Sequence, residues 1–396
     1  MSFEIALSGI QAINQQLEAT SHNIANAGTY GFKSSRANFS AMYAGTQATG
    51  VEVGSMTQSI NQNGGVMTTG RGLDASIDGR GFFVTRDSQG LMAYTRVGIF
   101  AANKDGYLVD SNDRRAQGYA AVTGGTALGA MGDIKIPTGQ IPAVSSTKVN
   151  YVGNLSADWP VPVVTPLDVN NANSYNMSKQ SIVYDSLGTQ HTLSQYFVKT
   201  GPGAITVHYG FDGAAPSATA NLTFNSQGQL TAPVAPVPLT LANPGNGAAP
   251  LAFTVDYLGT TQFAGEAVTT TNSTDGYASG TYVGVELAQD GSVIAKYSND
   301  QQQTVGTIAL ATFADEGALN PISDTSWSET SASGVALYGS PGVGLTGRLN
   351  TGALERSNVD ITSELVGLMT SQRNYQANSK VISTQNTMMQ ALMQAL

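Results

Sequence analysis

Gly342-Val-Gly-Leu-Thr-Gly347 has the G-x-G-x-x-G spacing of a dinucleotide loop. There the glycines let backbone approach a pyrophosphate held at a helix N-terminus. That chemistry needs a buried strand before the loop and a helix after it, and YGSPGVGLTGRLNTGALE offers neither cleanly. With 45 glycines in 396 residues, a chance match is expected. GTYGFKSS holds the ingredients of a phosphate loop, but Phe32 separates Gly31 from Lys33. Arg71 and Arg80 each stand between glycines in NGGVMTTGRGLDASIDGRGFF, yet neither leads into a helix that could hold phosphate. Gly70, Gly72, Gly79 and Gly81 are therefore read as turn glycines needing positive φ, with Phe82-Phe83 opening the first strand of a β-domain. Asp110-x-Asn112 begins like a calcium loop, but Arg114 takes the place of the third oxygen ligand. The histidines, His22, His191 and His208, lie far apart without metal-ligand spacing. No paired carboxylates stand out for acid–base work. The expectation is a chain with no catalytic, cofactor-binding or metal-binding residues, and so no enzyme.

Composition points the same way. Only 11% of residues are charged, against about 25% in ordinary soluble domains. Gly, Ser, Thr, Asn and Gln fill the space, which suits surfaces that meet other protein. A net charge of −9 argues against nucleic acid and anionic membrane as partners. The absence of cysteine excludes disulfides and thiolate metal sites. The first residues, MSFEIALSGIQAINQQLEAT, lack the basic flank and continuous apolar core of a cleaved secretory leader. No run approaches the ~18 apolar residues of a membrane span.

The elements that would position any function lie at the two ends. Phe3, Ile10, Leu17 and Ile24 recur every seven residues, with Ala6, Ile13, Thr20 and Ala27 three residues after each. This is a heptad seam on a helix of about 25 residues. Ile361, Leu368, Tyr375, Ile382, Met389 and Leu396 repeat the device, with a second row at Leu365, Gln372, Ser379, Asn386 and Met393. Polar members in that row fix register at some cost in stability. Ser357 or Asn358 is the expected N-cap. Residues 1–27 carry only Glu4 and Glu18 as charges, and 361–396 only Glu364, Arg373 and Lys380. Faces so free of charge can pack on neighbours without desolvating ions. The β-like interior offers them no helix to pack on, and the seam alone buries too little to offset the ordering of both ends. Both are expected to be frayed in a lone copy and to become helical when sister copies cover them.

The interior reads as strands broken by glycine turns, as in GFFVTRDSQGLMAYTRVGIFAANKDGYLVD, SIVYDSLGTQHTLSQYFVKT and VGVELAQDGSVIAKYS. Residues 229–250 read as irregular loop, and DWPVPVVTP and TTTNSTDGYASG as the entry to and exit from an inserted domain. The expected fold class is α+β and multidomain. Residues 1–27 and 357–396 form a coiled-coil-like helical polymerisation domain, and 28–70 an extended, irregular linker. Residues 71–145 and 279–356 form an inner β-domain of barrel or sandwich type, and 146–278 an inserted outer β-domain.

The ends carry a resemblance. ALSGIQAINQQLEATSHNIANAGTYGFKSSRANF resembles the opening segment of the bacterial flagellar rod, hook and hook-associated axial proteins. The pattern falls on Leu7, Ser8, Gly9, then Asn23, Ile24, Ala25, Asn26, then Gly31, Phe32, Lys33. The closing LERSNVDITSELVGLMTSQRNYQANSKVISTQNTMMQAL is similar to the family's last helix, at Asn358, Gln372, Arg373, Asn374, Tyr375 and Asn378. DGRGFFVTRDSQGLMAYTRVGIF resembles the β-domain that rod and hook members share. PVPVVTPLDVNNANSYNMSKQSIVYDSLGTQHTLSQYFVKT resembles the outer domain of hook-type members, an insertion that the shorter rod type lacks. His22 and the Ala27-Gly28 pair depart from the small polar residues usual there.

The resemblance implies a structural subunit of a curved, flexible tube that joins basal body to filament and transmits torque. It implies export through the flagellum's own type III apparatus and growth beneath a hook cap protein. The partners implied are copies of the chain itself, a distal rod protein and the hook–filament junction proteins, and the implied location is the flagellum outside the cell. The other readings are a distal rod subunit and a secreted carbohydrate-binding β-domain protein. Trp159 and Trp327, the two tryptophans, give the last little support.

Overall fold

The computed structural model describes residues 2–122, 128–242 and 244–395. The chain divides into two compact units. The first takes the described residues up to Thr138, Val283–Lys296 and Gln302 onward; the second takes Gly139–Tyr282 and Tyr297–Gln301.

In the first unit the ends form two helices, α1 (Ser2–Ala25) and α2 (Ile361–Ala395). They pack on each other, with Asn23 meeting Glu364 near one end and Gly9 meeting Asn378 further along. The pair is therefore antiparallel. A Cβ on Gly9 would stand 3.0 Å from Asn378 Nδ2, so any larger residue would require the Asn378 side chain to give way. The face that α1 buries keeps Ala6, Ile13 and Thr20 from the second row of the expected seam but not the first row. Ala6, Gly9, Ala12, Ile13, Ala19, Thr20 and Asn23 are buried, whereas Phe3, Ile10, Leu17 and Ile24 are half-buried. Small residues let the backbones close up, and that displaces the large apolar row to the flank. Along α2 the covered stripe is Glu364, Leu368, Ser371, Asn378 and Ile382. Its cap is Asp360 rather than Ser357 or Asn358. The Asp360 carboxylate accepts from the backbone N–H of Thr362 at 2.9 Å and of Ser363 at 3.4 Å. Those N–H groups also hold its pKa below the ordinary carboxylate value.

Residues 28–70 are not an irregular linker. Ser35–Ala44 (β1) and Gln47–Gln58 (β2) form a long antiparallel hairpin, with Ser35 opposite Gln58 and Ala44 opposite Gln47. Arg36 to Ala41 alternates polar with apolar residues, the period of a strand, and the hairpin leaves Phe39, Met42, Tyr43 and Met56 exposed. Ser8 in α1 accepts from the Val51 N–H at 3.2 Å and so ties the hairpin to the helix.

Beyond the hairpin, Ala75–Asp78 pairs with Arg348–Thr351, and Val66–Thr68 with Ala353–Glu355. Phe82–Arg86 is thus preceded by Ala75–Asp78 and is not the first strand. It sits in a larger sheet beside Met92–Thr95 and Arg115–Ala121. Gly79 and Gly81 hold φ of +107° and +118° and turn the chain into it; Gly72 does not adopt positive φ. Phe82, Val84, Tyr94, Phe313 and Trp327 form the core. Its aromatic rings meet edge to face, Tyr94 to Phe313 at 4.8 Å and Phe82 to Trp327 at 5.5 Å. Trp327 Nε1 donates to Gln58 Oε1 at 2.7 Å, so the base of the hairpin is pinned to this core.

The second unit has two sheets. Met177–Tyr184, Gln190–Gly201, Ala204–Phe211, Ala218–Phe224 and Leu230–Ala232 form an antiparallel meander. Val237–Leu241, Leu251–Asp256, Lys148–Asn154 and Val268–Thr274 form the other, with one parallel pairing between Lys148–Asn154 and Leu251–Asp256. Two expectations fail here. Residues 229–250 contain two strands, with Pro238 tolerated because its strand is at a sheet edge. TTTNST is strand rather than exit linker, its β-branched threonines paired with Lys148–Asn154. Alternating residues from both sheets, among them Val149, Tyr151, Leu193, Phe197, Val207, Leu222, Phe253 and Val255, make one core.

Candidate assembly site and the clasp beneath it

The turn after α1 and the turn before α2 meet in a buried polar clasp. Gly31 has φ +66°, and a Cβ there would lie 3.1 Å from the Arg96 carbonyl carbon, so only glycine fits. Its N–H donates to the Glu355 carbonyl at 2.8 Å. Lys33 is wholly buried, and its ammonium donates to Glu355 Oε1 at 2.6 Å and to the Gln62 carbonyl at 2.7 Å. Arg96, 1% exposed, reaches Glu355 Oε2 at 3.4 Å and donates to the Gly79 carbonyl at 2.9 Å. Burial drives both cations below their ordinary pKa values, against the opposing pull of Glu355. One carboxylate thus neutralises two buried cations, and the Gly64 N–H also donates to it at 3.0 Å. Phe32 is buried and stacks edge to face with His22 at 5.3 Å.

Asparagines complete the joint. Asn358 accepts from the Ser34 N–H at 2.8 Å and donates to the Ser59 and Gln62 carbonyls at 2.9 and 3.0 Å. Asn23 accepts from the Ser35 N–H at 2.9 Å, and its amide donates to the Ser35 carbonyl and to Glu364 Oε1, both at 2.8 Å. Asn26 donates to the His22 carbonyl at 2.9 Å, closing the last turn of α1. The clasp therefore sets where both helices leave the β-unit. Lys33, Asn23, Asn26, Gly31, Phe32 and Asn358 come together here although residues more than 300 positions apart supply them. Glu355, which holds Gly31 and Lys33, Arg96, which shares its carboxylate, and Glu364, which holds Asn23, gave no motif to find.

Above the clasp, α2 is exposed along most of its length. Ile361 is 50% exposed, Leu365 46%, Tyr375 39% and Met389 61%. Val366, Met369, Val381, Met388, Leu392 and Met393 join them, although only Met393 lay in the expected rows. Of the remaining residues expected to pack between subunits, Leu368 and Ile382 are half-buried, and Leu396 lies outside the described residues. Gln372, Arg373 and Asn374 are exposed, as are Leu7 and Ala25.

Gly342–Gly347 closes a turn that leads into the strand Arg348–Thr351 rather than a helix. Asp110 accepts from the backbone of Asn112 and Arg114 and pairs with the Arg114 side chain at 2.7 Å. Among the described residues no group of His, Asp and Glu is placed to hold a metal ion, and no helix is long and apolar enough to cross a membrane.

Known families match along the chain. Residues 3–33 match the family described as flagella basal body rod protein, and 76–157 the flagellar hook protein FlgE/F/G D1 domain. Residues 154–277 match the flagellar basal body protein FlaE D2 domain, and 350–395 the flagellar basal body rod FlgEFG protein C-terminal. The chain is 39% identical over 409 residues to the flagellar hook protein FlgE of Escherichia coli K12, covering 99% of each. It is 30% identical over 455 residues to that of Treponema pallidum, covering 98% of this chain and 97% of the relative. Among solved structures, Helicobacter pylori flagellar hook protein FlgE2 aligns with TM-score 0.53 at 14% identity. That alignment covers 72% of this chain and 99% of the other, and supports the fold.

Proposed function

The chain belongs to the flagellar hook protein family, and on that premise we propose that its exposed α2 face is where copies of it join into the hook. It is a structural subunit of the flagellum that polymerises within the axial assembly. The observation that carries the site is the length of apolar surface left open on α2 beside so few charges. A helix with that much exposed Leu, Val and Met is unfavourable in water and favourable against another copy. The clasp then acts as the fixed joint from which the helix pair is presented to its neighbours.

The finer reading is a curved tube that bends while transmitting torque, made by a protein that performs no catalysis. Its proposed contacts are a cap protein at the growing end, a distal rod protein below and junction proteins above. Type III export would deliver it outside the cell. Electron microscopy of purified protein brought to polymerising conditions tests this. Curved tubes are expected; straight rods would favour a rod role, and no polymer at any concentration would contradict assembly through this chain alone.

A further inference from the structure

The second unit holds a buried histidine between two carboxylates. His191 is 5% exposed. Its Nδ1 lies 2.7 Å from Asp212 Oδ2, and its Nε2 lies 3.4 Å from Asp185 Oδ2. Asp185 is fully buried at the turn after Met177–Tyr184, where its Oδ1 accepts from the N–H groups of Leu187 and Thr189. Asp212 follows Ala204–Phe211 with φ +49°, and its Oδ1 accepts from the Thr192 N–H at 2.7 Å. A third segment closes over the group. The Asn246 amide donates to Asp185 Oδ2 at 2.5 Å and to Thr189 Oγ1 at 2.8 Å, and the Ala249 N–H donates to Ser186 Oγ at 3.1 Å.

We propose that His191, Asp185 and Asp212 form a proton-operated clasp that fastens the Asn246 turn to the end of the five-stranded sheet. As imidazolium, His191 donates from both ring nitrogens, one to each carboxylate. As neutral imidazole it keeps one proton, for which Asp212 at 2.7 Å is the nearer acceptor. Its bare Nε2 then faces Asp185 Oδ2, acceptor against acceptor, in a buried site where neither finds water. Asp185 cannot turn away without releasing Asn246, because the oxygen that faces Nε2 is the one that holds the Asn246 amide. No cation besides His191 contacts either carboxylate among the described residues.

The sign follows from the balance of causes. Burial disfavours the charged ring, but the hydrogen bonds to Asp212 and Asp185 outweigh it and raise the His191 pKa. Stability from the ring is thus full below the unfolded value of about 6.5 and is lost as pH rises through the higher folded value. For Asp185, burial is again opposed and outweighed, by Asn246, the Thr189 and Leu187 N–H groups and His191, and its pKa falls to about 2. Its contribution is full above the unfolded value of about 3.9 and is lost as pH falls toward the folded one. The clasp is closed between those limits and opens on the alkaline side.

The test is a pH titration of the full chain, read by nuclear magnetic resonance of the histidine rings and by amide exchange at Ala248 and Ala249. Exchange is corrected for its intrinsic rise with pH. The His191 ring should titrate above 6.5, with amide protection falling above that point by up to about tenfold per pH unit. In His191→Gln, protection should no longer vary with pH across that range, while His208→Gln should behave as the parent. A His191 ring that titrates at or below its ordinary value overturns the clasp, and so does a loss of protection that persists unchanged in His191→Gln. The ring titration needs no variant, so a misfolded substitution leaves the test intact.

Discussion

Glu355→Leu is expected to cost the first unit about 3–5 kcal/mol, because it strands two buried cations at once. Lys33 and Arg96 are 0% and 1% exposed, and Glu355 is the carboxylate that both touch. Removing one partner of a buried ion pair leaves a charge that water cannot reach, which is far worse than never having placed the pair there. Lys33→Met should cost less, since Glu355 keeps Arg96 and the Gly64 N–H. The two tryptophans separate the outcomes. Trp327 lies in the core of the first unit, and Trp159 packs against the core of the second. Denaturant unfolding followed by the fluorescence of Trp327, in a Trp159→Phe background, should move to lower denaturant for Glu355→Leu. The Trp159 signal, read in Trp327→Phe, should stay where it was. A shift below about 1 kcal/mol would mean that the cations are rehydrated easily and that the clasp is not the joint described.

Val366→Asp with Met369→Asp should leave the lone chain folded and abolish polymerisation. The two residues are 60% and 54% exposed and three apart on α2, so they share a face that α1 does not cover. Burying the new carboxylates against another copy costs several kcal/mol, and each 1.4 kcal/mol is about tenfold in affinity. The critical concentration should therefore rise at least about a hundredfold. Sedimentation against concentration reads this directly, with circular dichroism to confirm that the monomer is unchanged. Assembly at the parent's concentration would remove α2 from the interface.

The two predictions rest on features that the sequence exposed to very different degrees. The seven-residue repeat from Ile361 located α2 because a 3.5-residue period survives in any environment. Which face it presents was another matter. Small residues in α1, with Gly9 against Asn378, set the contact, and the large apolar row moved to the flank. Asp360 stands one residue before the helix, but Ser357 and Asn358 are equally good capping types, and only geometry chose among them. The strands at Phe82–Arg86 and Gln190–Gly201 were legible from their apolar content and glycine turns. The hairpin at Ser35–Gln58 was not: Arg36 to Ala41 alternates polar with apolar residues, but the interspersed Ala, Ser, Thr and Gly weaken the signal. Motif resemblance marked Gly31, Lys33 and Asn358, though not why they matter. Glu355, the partner of Gly31 and Lys33, lies 322 residues from Lys33, and no local pattern links residues so far apart. In a chain with 11% charged residues, every Lys and Glu was a candidate for such a role, and that was the one available signal.

Amide exchange along Ile361–Ala395, in dilute unassembled chain and again in the polymer, tests the assembly surface most directly. If sister copies cover α2, its amides exchange quickly in the lone chain and become strongly protected on polymerisation. Equal, strong protection in both states would show a helix already complete by itself, and its exposed face would then have no part in building the hook.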